Sequence, residues 1–308
     1  MGENLLPKKN IIQLSGGLGN QLFQLALGLA VFGHPGRDFL LDSRIVDAKG
    51  SKRNLAIGEL LDEASFVTVH DLPFNLLRKY KKPFLKNWNF EAEGFGWKTL
   101  VERQKLFDSD LVFNFGSYVI GSFIHPAYWG NRQTKIIEEI DSLIRNRISG
   151  FSEQSRDPGL LGVHIRRGDY RTDSKTRNFH GLCGLEYYGR SLEVLSNQSD
   201  FREVIIFSDE FNVAAKFSSY FDFRSVPVRI DNSENPLELL LQMSKCNTFI
   251  GCNSTLSWWA AFLGPSKTRI LPSQWFLSPE ITINPRELFF PLETIVLPNT
   301  LLREDDIF

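Results

Sequence analysis

The densest chemistry in the chain lies in Leu161-Gly162-Val163-His164-Ile165-Arg166-Arg167-Gly168-Asp169-Tyr170. An apolar run ending in two arginines reads as a buried strand opening into a turn. Period-two alternation puts His164 and Arg166 on one face, and Arg167 emerges where the strand ends. Guanidinium groups suit bidentate contacts with phosphate oxygens, so the pair can hold a small polyanion. A surface ion pair between Arg167 and Asp169 accounts for the same residues. Ser208-Asp209-Glu210 closes another apolar run. The Asp209 carboxylate only accepts, so it can receive two donors from a guanine edge or from ribose hydroxyls. It can equally cap a helix. Asn253-Ser254-Thr255 precedes an apolar segment. It can cradle a phosphate at a helix start or serve as an ordinary cap.

Gly16-Gly17-Leu18-Gly19-Asn20-Gln21 has the first two glycines of a dinucleotide fingerprint, but Leu22 stands at the third. That departure weakens a nicotinamide or flavin reading. The glycines still permit close backbone approach, and Asn20 and Gln21 can hydrogen-bond hydroxyls. Asp108-Ser109-Asp110 is a two-aspartate pattern that can hold a divalent metal over a diphosphate. So common a tripeptide, far from the arginines in sequence, reads instead as a solvated turn before a strand starting at Leu111. His34, His70 and His180 lack ligand spacing, so no metal site is assigned. Trp258 and Trp259 read as core packing.

These residues need a scaffold that brings strand ends together. Residues 10–14 read as a strand, 18–32 as a helix with Leu18, Leu22, Leu25 and Leu29 along one stripe, and 39–41 as a strand running into Asp42. A strand candidate at 65–70, a basic and aromatic loop region at 80–97 and a glycine-broken strand region at 111–124 follow. A helix is expected at 134–147, and the polar, turn-rich stretch 149–159 is the best boundary. Beyond it, strands are expected at 160–165, 204–207, 225–230, 248–250 and, last, 269–271. Helices are expected at 185–195, 211–217, 236–243 and 256–263. The chain therefore reads as two α/β layers, residues 1–155 and 156–308. Open α/β sheets bind ligands at the carboxyl ends of their strands, where all these motifs fall.

Composition narrows the partners. In 308 residues, 35 Lys and Arg balance 36 Asp and Glu, which leaves no basic surplus for nucleic acid. Three cysteines, Cys183, Cys246 and Cys252, supply neither a disulfide framework nor a four-ligand zinc site. The first 17 residues lack a signal-peptide core, and no apolar stretch reaches the ~20 residues of a membrane helix. A cytoplasmic enzyme is expected, with Tyr80-Lys81-Lys82-Pro83-Phe84-Leu85-Lys86 as a patch able to touch anionic lipid or to form a solvated loop.

Three segments together resemble glycosyltransferase family 11, the alpha-1,2-fucosyltransferases. They are Gln13-Leu14-Ser15-Gly16-Gly17-Leu18-Gly19-Asn20-Gln21-Leu22-Phe23-Gln24, then His164-Ile165-Arg166-Arg167-Gly168-Asp169-Tyr170, and a stretch from Glu238 through Asn253-Ser254-Thr255-Leu256-Ser257-Trp258-Trp259. Phe207-Ser208-Asp209-Glu210 sits between them in the family's order. The resemblance implies a GT-B-like fold, two Rossmann-like domains facing each other across a cleft. It implies inverting, metal-independent transfer of L-fucose from GDP-β-L-fucose to O2 of a galactose, with GDP-fucose as a substrate and no cofactor. On that likeness Arg166 and Arg167 contact the diphosphate, with His164 beside them. Asp209 meets guanine, and Asn253, Ser254 and Thr255 meet the diphosphate or fucose. Gly17, Asn20, Gln21 and Asp42 face the cleft from the other domain. His164, Asp169 and Asp42 are candidate bases; Asp169 is also the expected partner of Arg167. The bacterial branch implies a galactose-containing, lipid-linked surface glycan such as an O-antigen as acceptor. Residues 121–129, Thr248 and Glu210 depart from the family pattern.

Overall fold

The computed structural model describes residues 9–47, 54–67, 98–102, 107–114, 116–147, 157–196, 201–223, 225–231, 233–263, 268–279, 281 and 294–306. The basic patch at 80–86, the loops at 80–97 and most of the polar stretch 149–159 lie outside them, as do residues 68–70 of the strand candidate at 65–70. The chain divides into two compact units, Met1–Ile136 and Ile137–Phe308. The division falls upstream of the polar stretch named above, within a helix.

The first unit holds a four-stranded parallel sheet. Its strands are β1 (Asn10–Gln13), β2 (Phe39–Asp42), β3 (Lys98–Val101) and β4 (Ser117–Ile120), in the order β2-β1-β4-β3. β1 and β2 are buried along their whole length, their polar ends Asn10, Gln13 and Asp42 included. Helix α1 (Leu18–Val31) follows β1. It carries no single apolar stripe: almost every residue from Leu18 to Leu29 is buried, Gln21 and Gln24 included. Gly28 lets α1 approach β2, since a Cβ there would sit 2.3 Å from the Phe39 ring. Residues 111–114 form no strand, and β4 begins only after Gly116 turns the chain at φ 74°. Helix α2 (Gln133–Arg147) then straddles the division.

The second unit holds six parallel strands: β5 (Asp157–Ile165), β7 (Glu203–Ser208), β8 (Val228–Asp231), β9 (Cys246–Ile250), β10 (Thr268–Pro272) and β11 (Thr294–Leu297). Their order is β11-β10-β9-β5-β7-β8. Read from β8, that is the 3-2-1-4-5-6 order of a Rossmann sheet, with its switch point between β5 and β9. Between them run α3 (Gly168–Thr172), α4 (Ser174–His180), α5 (Leu185–Ser196), α6 (Phe211–Tyr220), α7 (Pro236–Ser244) and α8 (Thr255–Phe262). Leu161, Val163 and Ile165 of β5 and Ile206 of β7 share one core with Tyr188 of α5 and Phe217 of α6. Trp258 and Trp259 are fully buried, as expected. The strand at 268–272 is not the last. β11 follows it, and β12 (Leu301–Leu302) pairs antiparallel with β6 (Leu182–Cys183). Both units are thus Rossmann-like α/β layers.

Candidate active site

The carboxyl ends of β5 and β7 carry a three-residue charge cluster. β5 ends at Ile165, and Arg166 follows directly. Its guanidinium meets Asp169 Oδ1 at 2.5 Å and Asp209 Oδ2 at 2.9 Å. The three side chains are 21%, 24% and 22% exposed, so the cluster is half-sunk but open to solvent. The guanidinium also lies over the Tyr170 ring, 5.6 Å from its centre. Burial opposes the Arg166 charge, but Asp209 and Asp169 more than offset it, and its pKa is raised. A permanent cation therefore sits beside the switch point, where an anionic ligand is expected. Gly168 makes the geometry possible. Its φ is +24°, and a Cβ there would lie 2.2 Å from Asp209 Oδ2.

Across the switch point, β9 runs into Gly251, Cys252 and Asn253. Ser254 caps α8, its hydroxyl accepting from the Leu256 N–H at 3.3 Å. That helix start presents main-chain N–H groups of the kind that favour anions.

The first unit collects different chemistry at its strand ends. Asp42, at the end of β2, is buried. Its carboxylate accepts from Arg44 Nε at 2.7 Å and from the Tyr118 hydroxyl at 2.5 Å. Glu102, just past β3, accepts from the Ser122 and Phe123 N–H groups at 2.8 and 3.1 Å and from the Tyr128 hydroxyl at 2.9 Å. Burial raises its pKa against the pull of those donors. Phe123 itself is buried at φ 50°, an uncommon conformation for a bulky side chain.

The model of glycosyl transferase family 11 matches residues 75–283, more than half of the chain. The chain belongs to that family. An alpha-1,2-colitosyltransferase of Escherichia coli is 26% identical over 288 residues, covering 88% of this chain and 93% of its own. The O-antigen biosynthesis glycosyltransferase WbnK of Escherichia coli is 33% identical over 123 residues, covering 37% and 38%. Among solved structures, fucosyltransferase NodZ from Bradyrhizobium aligns at 17% identity with a TM-score of 0.48, covering 84% and 94%.

Within this family 11 glycosyltransferase, the two arginines part company. Arg167 does not pair with Asp169; Arg166 does. The Arg167 side chain is 0% exposed and turns inward. Its Nε donates to both Asp305 oxygens at 3.0 Å, and its terminal nitrogens donate to the carbonyls of Cys183 at 3.0 Å and Arg166 at 3.1 Å. Burial opposes its charge too, yet Tyr188 and Asp305 leave its pKa raised. What Arg167 gives the open cluster is its main-chain N–H, donated to Asp209 Oδ1 at 2.8 Å.

His164 is 2% exposed, its Nδ1 2.6 Å from the Ser257 hydroxyl. Burial, and then Arg166, push its pKa down to about 3. It is a neutral packing residue and not placed to take a proton from a sugar. Asn253 is also turned inward. Its amide donates to the carbonyls of His180 at 2.9 Å and of Gly181 and Trp275 at 3.3 Å, and its Oδ1 accepts from the Cys183 thiol at 3.4 Å. Of that triplet, Ser254 and Thr255 remain at the helix start.

Gln21 is spent inside the fold. Its amide donates to the carbonyls of Gly16 and Asn54, and accepts from the Ala56 and Ile57 N–H groups. Gly17 caps α1 through its carbonyl, which accepts from the Asn20 and Gln21 N–H groups at 3.0 Å. Asn20 packs against Gly16, where φ is 74°. Asp108 and Asp110 form a turn in which Asp108 Oδ1 accepts from the Asp110 N–H at 3.2 Å, and Asp108 is buried rather than solvated. No group of three or more His, Cys, Asp or Glu among the described residues could hold a metal ion. No helix among them is long and apolar enough to cross a membrane. Sequence reasoning missed Asp305, Glu102 and the ion pair that Arg171 makes with Glu210. The acidic run at 304–306 was the only signal for the first.

Proposed function

We propose that this chain transfers L-fucose from GDP-β-L-fucose to O2 of a galactose in a surface glycan of the O-antigen type, with inversion and without a divalent metal. The observation that carries the reading is the Arg166–Asp209–Asp169 cluster at the carboxyl ends of β5 and β7. The 1,2 linkage and the O-antigen context are supported by the names of the two relatives.

In this reaction the acceptor oxygen forms a bond to fucose C1 as the C1–O bond to GDP breaks. The electron pair of that bond leaves on the phosphate, and the acceptor proton passes to a base. Charge builds on the departing phosphate, so an oriented cation there lowers the barrier. Arg166 supplies it, with Ser254 and Thr255 at the α8 start as further donors. Asp209 accepts from guanine N1 and N2 and releases Arg166 to the diphosphate. Residues 156–308 bind the donor, and residues 1–155 bind the acceptor. Of the candidate bases, Asp169 is the more open to solvent, whereas Asp42 and His164 are both buried.

A second reading keeps the chemistry but changes the sugar to colitose. It is favoured by the relative that covers most of this chain.

A transfer screen tests both. Metal-stripped protein is offered the GDP esters of fucose and colitose with a panel of galactosides and other glycosides, and linkages are assigned by NMR. An α-L-fucosyl-(1→2)-galactoside, or its colitosyl counterpart, is the expected product. Absence of both transfer and GDP binding overturns the reading, and complete, magnesium-reversible loss on stripping overturns its metal independence.

A further inference from the structure

Residues 301–306 form a strap across the donor unit. Leu301 and Leu302 pair with Cys183 and Leu182, and Leu301 enters the core of that unit. Two glycines make room for the strap. A Cβ at Gly181, where φ is +69°, would lie 2.7 Å from Leu301 Cβ, and one at Gly184 would lie 2.7 Å from Leu302 and 2.8 Å from Asp306. Asp306 accepts from the Leu185 N–H at 2.6 Å, so the strap is tied on both sides of Asp305.

Asp305 is 7% exposed and Arg167 0%, a buried pair bonded through Nε at 3.0 Å to each oxygen. From there a continuous chain of hydrogen bonds leads to the open cluster. Arg167 bonds the Arg166 carbonyl at 3.1 Å, and its own N–H bonds Asp209 Oδ1 at 2.8 Å. The other Asp209 oxygen holds Arg166 at 2.9 Å. A guanidinium fixed at its far end fixes the main chain that aims Asp209.

We propose that Asp305 is a positioning residue for nucleotide recognition, acting through Arg167 on Asp209. The inference rests on the guanine reading of Asp209 given above. Nothing in the spacing of the donor motifs requires a carboxylate from this distant segment.

The test compares Asp305→Asn with Leu302→Ala, which loosens the strap without touching Arg167. GDP and UDP affinities are measured by calorimetry well below the unfolding temperature of each protein. Positioning losses run to about 100-fold, so Asp305→Asn is expected to weaken GDP by about tenfold or more, with UDP moving far less. Leu302→Ala is expected to lower the thermal midpoint while leaving the GDP/UDP ratio unchanged. Equal ratios in Asp305→Asn and the parent overturn the proposal. So does a ratio that falls as much in Leu302→Ala as in Asp305→Asn. If Asp305→Asn does not fold, Asp305→Glu is read by the same ratio: its longer arm moves the anchor, and an unmoved ratio overturns the proposal. A parent protein that prefers GDP no more than UDP refutes the guanine reading itself. A selective parent with an unaffected variant refutes the strap alone.

Discussion

Adjacent arginines ought to fail in different ways when replaced. Arg166 is 21% exposed and its two carboxylate partners are similarly open, so losing the pairs costs the fold about 1 kcal/mol or less. On the proposed function, the same change removes an oriented donor from the departing phosphate. Arg166→Ala should therefore lower turnover by about 100- to 1000-fold, roughly 3–4 kcal/mol of transition-state stabilisation, with a near-parental thermal midpoint. Lysine restores the charge without the planar fork, so Arg166→Lys should recover part of the loss only if charge outweighs bidentate geometry. Arg167 is 0% exposed, and its removal takes the paired guanidinium away from the buried Asp305. Breaking a buried pair in this way costs about 3–5 kcal/mol. In a unit of this size, that is about 10 °C in midpoint. Circular dichroism melts and initial rates at saturating donor separate the two effects. A parental midpoint in Arg167→Ala, or near-parental turnover in Arg166→Ala, would falsify the division of labour.

Three further outcomes follow from particular contacts. Gly168→Ala pushes a Cβ to within 2.2 Å of Asp209 Oδ2, so GDP affinity should fall while the circular dichroism spectrum holds; unchanged affinity in calorimetry would count against the placement of Asp209. Gln21→Leu strands two carbonyls and two N–H groups and should cost at least about 3 kcal/mol in urea unfolding, whereas a ligand contact alone would leave stability intact. His164 has its pKa pushed down to about 3, below the ordinary 6.5, so the unfolded chain binds the proton first as pH falls. Below pH 6.5, and until pH approaches 3, that residue should cost about 1.4 kcal/mol of stability per pH unit. Unfolding of His164→Gln at pH 7, 6 and 5 should show a slope flatter by that amount, and parallel profiles for variant and parent would sink the assignment.

Sequence spacing carried the strand ends well, and side-chain direction poorly. β1, β2, β5, β7 and β9 were legible because each is a short apolar run closed by polar residues, as buried parallel strands are. The same rule put Arg166 and Asp209 just past strand ends, where the structure has them. Which of two neighbouring arginines turns outward was not legible, because Asp305, which decides it, lies 138 positions away in an acidic run that reads as solvated surface. Gln21 and Asn253 misled for a related reason. Buried amides that tie loops together have the same residue type as amides that meet sugars, and only the partners tell them apart. α3 and α4 escaped notice because they are short and follow a polar stretch with no apolar period, α4 being capped by Asp173, whose side chain accepts from Thr176.

The charge count of the cluster links nucleotide choice to catalysis. Arg166 is shared there between two carboxylates, so a diphosphate must compete with them for it. On the proposed function, Arg166 stabilises the leaving group only if a carboxylate gives it up. Guanine offers Asp209 two N–H donors in exchange, and uracil and adenine cannot present the same pair. A nucleotide without them leaves Asp209 competing with the phosphates for Arg166, which weakens binding and slows departure of the leaving group together. Base recognition and leaving-group stabilisation then draw on the same carboxylate, and their coupling follows from the 2.9 Å contact between Asp209 and Arg166.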